Sequence, residues 1–268
     1  MINASIVVFN HTVSEIKPLV DTLLNSDVVA NIYIIDNSPK NEPNFQTLKV
    51  TYIFNNKNLG YGAAHNIALR HTIAQLLPYH LVVNPDIAFD PQILSELEKY
   101  MDKNSNIGSI MPKVLYPNGE TQYLCKLLPT PFDLIFRRFL PSSFTKNRTY
   151  KFELRASGYN QIMDVPYLSG CFMFLRTAAL QKVGLFDERF FMYPEDMDLT
   201  RRIHKQFRTV FYPKATIVHH HAKGSYINGK LLYIHISNMI KYFNKWGWFF
   251  DAERREINKK IILKLERK

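Results

Sequence analysis

The chain has 268 residues, of which 46% are hydrophobic and 13% aromatic, enough to bury one large α/β core and too apolar for a disordered chain. Its formal net charge is +11, which suits three kinds of partner: nucleic acid, an anionic membrane surface or an anionic small substrate. Only two cysteines are present, Cys125 and Cys171, too few for a disulfide framework or a zinc site, so reduced thiols in a cytoplasmic protein are expected.

The first ten residues carry neither the basic region nor the apolar run of a signal peptide. No stretch approaches the roughly 18–20 apolar residues of a spanning helix, so a soluble or peripheral protein is expected.

Ser5-Ile6-Val7-Val8-Phe9-Asn10 is a short β-branched run closed by a polar residue, the pattern of a buried strand. From Ser14 the spacing of Ile16, Leu19, Val20, Leu23 and Leu24 predicts a helix with one apolar face. Asn31 to Asp36 is a second strand ending in an Asx turn, and Val50 to Phe54 is a third. Ala63 to Leu77 reads as a helix, and His80 to Val83 as a fourth strand turning at Asn84-Pro85-Asp86. Strands alternating with helices imply a mostly parallel, Rossmann-like sheet flanked by helices, with ligands at the carboxyl ends of the strands. Asp36, Asn58 and Asp86 all fall just after strands, so three polar clusters converge on one edge.

Residues 112–166 read as an irregular excursion, punctuated by Pro129, Pro131 and Pro141 around a basic, aromatic stretch. Leu168 to Leu175 returns to strand. Leu199, Ile203 and Phe207 place Glu195-Asp196-Met197-Asp198 at a helix start, where the dipole favours carboxylates and an ionised acid can accept a proton. Ordinary N-terminal capping would explain the same acids, although an aromatic-rich loop from Gly184 to Tyr193 leads into them. Asp86 admits two readings as well: it can coordinate a divalent cation on a diphosphate or cap the following helix. His219-His220-His221 follows a short strand, Thr209 to Tyr212, and a turn at Pro213. An imidazole there can complete a metal site with Asp86, and Lys223 can offset phosphate charge; a solvated polar loop is the alternative. Asn58-Leu59-Gly60-Tyr61-Gly62 lacks the third glycine of a dinucleotide fingerprint, so it serves as well for a tight turn.

In order, Ser5–Asn10, Asp36-Asn37-Ser38, Asn58–Asn66, Asn84-Pro85-Asp86, Ser169–Met173 and Phe186-Asp187-Glu188 through Glu195–Leu199 resemble the family 2 glycosyltransferases. Within that family the likeness is to bacterial rhamnosyltransferase-like members that build surface polysaccharides. It spans roughly residues 3 to 225. The resemblance implies a GT-A fold and inverting transfer from a nucleoside diphosphate sugar, dTDP- or UDP-linked, to a lipid-linked glycan acceptor. It implies that Asp36 and Asn37 hold the nucleotide and that Asn58 and Gly60 line its pocket. Asp86 becomes the metal-binding acid of an Asp-x-Asp element whose first acid is here Asn84. With one firm carboxylate left, a histidine ligand for Mg2+ or Mn2+ is needed, His219 by position and His221 as the alternative. Asp196 becomes the general base. The Gln-x-x-Arg-Trp motif and spanning helices of the family's processive synthases are missing from the sequence, so one sugar per acceptor is expected.

Residues 1–225 are thus expected to form the catalytic domain and residues 226–268 a basic, aromatic helical extension. That extension holds ten Lys/Arg against four Asp/Glu, and both tryptophans. It suits either an anionic membrane interface, on the cytoplasmic face of the inner membrane, or packing onto the catalytic domain. Competing readings are another hexosyl- or polyprenyl-phosphate glycosyltransferase, a nucleotidyltransferase, and a basic nucleic-acid-binding protein. The last lacks any RNA-binding signature, so no nucleic-acid partner is expected.

Overall fold

The computed structural model describes residues 1–40, 48–135, 140–220 and 229–266. The first half alternates as expected: β1 (Ile2–Val8), α1 (Val13–Leu24), β2 (Val29–Asp36), β3 (Val50–Phe54), α2 (Tyr61–Ala74), β4 (Tyr79–Val83), β5 (Ile87–Ala88) and α3 (Gln92–Asp102). Helix α1 buries Ile16, Leu19, Val20 and Leu23 against the sheet, and Glu15 accepts the backbone N–H of Thr12 at its start, which satisfies an orphan donor. There follow β6 (Ile107–Leu115), β7 (Cys125–Lys126), α4 (Pro131–Leu134), α5 (Ser142–Phe152), β8 (Met163–Asp164), β9 (Tyr167–Leu168) and β10 (Phe172–Arg176). The chain continues through α6 (Thr177–Val183), α7 (Glu195–His204), β11 (Arg208–His219), α8 (Gly229–Trp246) and α9 (Ala252–Glu266).

The main sheet runs β3-β2-β1-β4-β10-β6-β11-β5, with β8 paired to β11. Strands β3, β2, β1 and β4 are parallel, β10 runs antiparallel to its neighbours β4 and β6, and β6 and β11 are parallel to each other. The sheet is therefore mixed. Its geometry brings the ends of β2, β3, β4, β6 and β11 and the start of β10 to one edge.

Two stretches differ from the sequence reading. Residues 107–115 form a strand in the middle of the sheet, so irregular structure begins only after Leu115. Pro213 makes no turn, because β11 is one strand from Arg208 to His219. Both differences have one cause. Tyr212 is paired with Pro112 and Thr216 with the next residue, Lys113, so β11 bulges outward at this point. A proline cannot donate to a ladder and sits in a strand interior only where the ladder is interrupted. The bulge accommodates Pro112 and Pro213 together.

The C-terminal helices pack onto the rest of the molecule. Tyr242 and Phe243 of α8 are fully buried in a cluster with Phe190 and Met197, and Ile261 of α9 joins the main core. No helix among the described residues is long and apolar enough to cross a membrane.

Candidate active site

At the end of β2, Asp36 is buried and held on both oxygens: Oδ1 accepts the Ser38 N–H at 2.7 Å and Oδ2 the Tyr52 hydroxyl at 2.5 Å. Asn37 is also buried and spans to the next strand end. Its Nδ2 donates to the Gly60 carbonyl at 3.1 Å and lies 3.3 Å from Asn58 Oδ1, while its Oδ1 accepts from Asn55 Nδ2 at 2.9 Å. Asn58 Oδ1 accepts the Gly60 N–H at 2.9 Å. Gly60 needs to be glycine: its φ is +85°, and a Cβ there would meet the Phe191 carbonyl oxygen at 2.3 Å. That same carbonyl accepts the Tyr61 N–H that opens α2. Asn37, Asn58 and Gly60 are thus one hydrogen-bonded unit at the N-terminus of α2, a place that favours anions, with Asp36 next to Asn37 at the end of β2.

Asn84 starts the turn after β4, its carbonyl accepting the Ile87 N–H and its N–H donating to the Cys171 carbonyl. Asp86 follows, with 35% of its side chain exposed, and its Oδ1 lies 3.3 Å from Nε2 of buried His219 at the end of β11. The antiparallel pairing of His219 with Ile87 brings the two together. Behind the ring, Gln122 Oε1 lies 3.0 Å from His219 Nδ1, and Gln122 Nε2 donates to the His219 and Leu115 carbonyls.

Glu195, Asp196 and Asp198 are all buried in the first turn of α7. Asp196 does more than cap its own helix. Its Oδ2 accepts the Gly170 N–H from the turn before β10 at 2.7 Å, and its Oδ1 the Met197 N–H at 2.7 Å. Burial pushes its carboxyl up to about 6, against the opposing pull of those two N–H groups and of the Lys126 charge. Burial, reinforced by the Asp196 charge, lifts Glu195 well above the carboxylate range. Asp198 is structural: Trp246 Nε1 and Lys245 Nζ donate to its Oδ1, and Arg202 Nε to its Oδ2.

The three clusters adjoin. Tyr61 donates its hydroxyl to the Gly170 carbonyl, and its phenol is raised by burial and then by the charges of Cys171, Glu195, Asp196 and Asp86. Cys171 is pushed up to about 12 by burial, with Asp86 and Asp196 adding to the rise. A polar cleft of about 560 Å³, lined by Gln122, Tyr123, Lys126 and Arg155 among others, opens beside them. The structure therefore gathers Asp36, Asn37, Asn58, Gly60, Asn84, Asp86, His219 and Asp196 at one sheet edge, while Lys223 and His221 lie outside the described residues. Sequence reasoning missed Gln122 and Lys126. Neither has a local motif, and Gln122 meets His219 across 97 positions.

The donor set fits a hard divalent cation. One carboxylate and one imidazole fall short of a full shell, and the described residues include no group of three or more His, Cys, Asp or Glu placed to hold a metal ion. Mg2+ and Mn2+ commonly take a few protein donors and complete the shell with substrate phosphate and water.

The profile of glycosyl transferase family 2 matches residues 5–184. The chain belongs to glycosyltransferase family 2. The match takes in Asp36, Asn58 and Asp86 and ends before Asp196. The chain is 30% identical over 184 residues to N-acetylglucosaminyl-diphospho-decaprenol L-rhamnosyltransferase of Mycobacterium tuberculosis, an alignment covering 63% of this chain and 58% of that one. It is 26% identical over 208 residues to the low-salt glycan biosynthesis hexosyltransferase Agl10 of Haloferax volcanii, covering 75% and 62%. The chain thus spans somewhat over half the length of these relatives. Among solved structures, GalNAc-T7 with UDP, GalNAc and Mn2+ superposes over 92% of this chain and 48% of its own, with TM-score 0.67 and 16% identity. A mannosyltransferase of Pyrobaculum calidifontis with GDP-Man and Mn2+ covers 90% and 64%, with TM-score 0.54 and 14% identity. This family 2 glycosyltransferase shares their GT-A fold.

Proposed function

We propose that this glycosyltransferase works by inversion and adds one sugar, a deoxyhexose such as L-rhamnose, from a dTDP- or UDP-linked donor to a lipid-linked saccharide in bacterial surface polysaccharide synthesis. The observation that carries this reading is Asp196. It is a buried carboxylate poised near 6, fixed by the Gly170 N–H, on the same edge as the Asp86–His219 pair. The acceptor hydroxyl oxygen attacks the anomeric carbon, the bond from that carbon to the diphosphate oxygen breaks, and the hydroxyl proton passes to Asp196. A positioned base contributes about 10²–10⁴-fold. The nucleoside diphosphate leaves with the electron pair, so no covalent enzyme intermediate forms. Asp86 and His219 would hold a Mg2+ or Mn2+, which would neutralise charge on the departing diphosphate.

In this reading Asp36, Asn37, Asn58, Gly60 and Asn84 hold the nucleotide sugar, and Lys223 is assigned to its phosphates by sequence alone. The cleft at Gln122 and Lys126 receives the acceptor. Residues 1–225 are the catalytic unit and 226–268 a helical extension, working on the cytoplasmic face of the inner membrane. The N-acetylglucosaminyl-diphospho-lipid named for the mycobacterial relative supports the acceptor class.

The test is a panel of dTDP- and UDP-linked sugars with a short-chain diphospholipid saccharide acceptor and Mg2+ or Mn2+. One added sugar of inverted anomeric configuration, with nucleoside diphosphate released, is the expected result. Retained configuration would overturn the mechanism, and release of pyrophosphate would mean nucleotidyl transfer instead.

A further inference from the structure

The turn between α8 and α9 presents two aromatic side chains to solvent: Phe249 is 65% exposed and Phe250 91%. Single exposed apolar residues are ordinary, but an adjacent pair set among cations points to a partner. The turn is also built to hold them outward. Gly247 takes φ +97°, in the left-handed region, with its N–H on the Phe243 carbonyl. Arg254 Nη2 donates to the Trp248 carbonyl and Arg255 Nη2 to the Phe249 carbonyl. Asp251, next in the chain, is locked by both Nη groups of buried Arg201 at 2.8 Å each.

Beside the turn lies an open cleft of about 530 Å³, lined by Lys151, Phe249, Arg254, Arg255, Lys259 and neighbouring residues. Four of its lining residues are cations and none is an acid. Lys151, Arg255 and Lys259 have no carboxylate partner among the described residues, unlike Lys260 and Lys264 on the same helix, which pair with Glu256 and Asp164. Arg255, Lys259 and Ile262 recur at helical spacing along one face of α9. Across the cleft, Phe144 is 81% exposed and stands seven positions before Lys151 on α5, hence on the same side of that helix.

We propose that this face, formed by the α8–α9 turn, the Arg255–Lys259 side of α9 and the Phe144–Lys151 side of α5, docks the protein on an anionic lipid bilayer. Phe249, Phe250 and Phe144 enter the headgroup region, and Lys151, Arg255 and Lys259 meet lipid phosphates. The surplus of unpaired cations with no acid decides for an anionic bilayer rather than a neutral apolar partner. The placement suits a lipid-linked acceptor, and in that respect alone it rests on the reading above. Thr130 at the edge of the cleft is four residues beyond Lys126, whose charge acts on Asp196. Four residues of extended chain reach at most about 14 Å, so a docked bilayer lies close to the acceptor side.

The experiment is co-flotation of the full chain with phosphatidylcholine vesicles and with vesicles enriched in phosphatidylglycerol. Alongside it, sugar transfer is measured on a water-soluble, short-chain acceptor. The wild-type protein is expected to float with the anionic vesicles alone, and less so as salt rises. Phe249→Ser with Phe250→Ser, and separately Arg255→Glu with Lys259→Glu, should each lower partitioning by roughly tenfold or more while transfer to the soluble acceptor is unchanged. All four residues are exposed or cleft-lining, so the fold is expected to survive, and Lys259→Glu alone gives a milder second variant. Wild-type protein that ignores anionic vesicles, variants that bind as well as wild type, or a stable dimer that buries Phe249 and Phe250 would each overturn the proposal. Loss of transfer with vesicle binding intact would count against the catalytic reading and leave this one standing.

Discussion

Gln122 grips His219 from two sides: its Oε1 lies 3.0 Å from the ring Nδ1, and its Nε2 donates to the backbone carbonyl of the same histidine at 2.8 Å. Because the Gln122 amide nitrogen is committed to two carbonyls, its oxygen is the atom that faces the ring, and Nδ1 must carry the hydrogen. That leaves Nε2 as the nitrogen that faces Asp86 and that a metal ion would take.

Gln122→Leu removes this orientation without touching either donor atom. Losing a side chain that orients a metal ligand typically weakens metal affinity about 10–100-fold. Titration of Mn2+ in the presence of nucleoside diphosphate, followed by electron paramagnetic resonance, should show that drop. Unchanged affinity would mean that His219 needs no help from Gln122.

Asp196→Asn should cut transfer by roughly 10²–10⁴-fold while donor binding, followed by calorimetry, survives. Glu195→Gln should cost far less, because burial beside Asp196 raises the Glu195 carboxyl well above the usual carboxylate range and so favours its neutral acid, which Gln mimics. The pH profile carries the sign. A base must be ionised, and the Asp196 carboxyl is raised to about 6, so kcat/KM should climb as pH rises through about 6 and level off above it. A flat profile from pH 5 to 8 would remove Asp196 from the base role.

Arg201 lies five positions after Asp196 on α7, is 1% exposed, and makes a bidentate ion pair with Asp251 while its guanidinium stacks 4.0 Å from the Trp246 ring centroid. With the Trp246–Asp198 hydrogen bond, this ties α7 to α8 and to the start of α9. Asp251→Ala strands a buried guanidinium, leaving partly exposed Glu253 as a carboxylate partner. Breaking a buried pair from one side costs about 3–5 kcal/mol. For a chain of this size that amounts to a fall in Tm of roughly 6–20 °C, readable by calorimetry. A fall of a degree or two would mean that the extension only rests on α7.

What could be read in the sequence divides along a physical line. The strands and helices up to Val83 follow from local periodicity, and the acids after β2 and β4 are visible because strand ends are. Strand β6 was not visible, since Pro112 argues against a central strand until its partner is known to bulge opposite it. Local sequence shows the cluster at Glu195–Asp198 only as acids at a helix start. The different surroundings of its three acids depend on Gly170 for Asp196, on burial for Glu195 and on Trp246 for Asp198, and none of these can be read from the local sequence. Gln122 was beyond reach for the same reason.

His80 supplies a last test, of stability rather than catalysis. It is fully buried, with Nε2 on Ser5 Oγ at 2.8 Å and Nδ1 on Thr72 Oγ1 at 2.7 Å, and burial lowers it to about 3. In the unfolded chain a histidine titrates near 6.5. Between those values the unfolded chain binds a proton that the folded protein refuses, so stability is complete above about 6.5 and falls as pH drops. One such group contributes about 1.4 kcal/mol per pH unit in that window. Buried His65, also depressed by burial, adds to the same slope, while Glu195 and Asp196, raised by burial, act in the opposite sense. Urea unfolding at several pH values between 6 and 4.5 should therefore give a slope lower by about 1.4 kcal/mol per pH unit in His80→Gln than in wild type. Equal slopes would mean that His80 takes up its proton without unfolding, and that the polar network around Ser5 can hold an imidazolium.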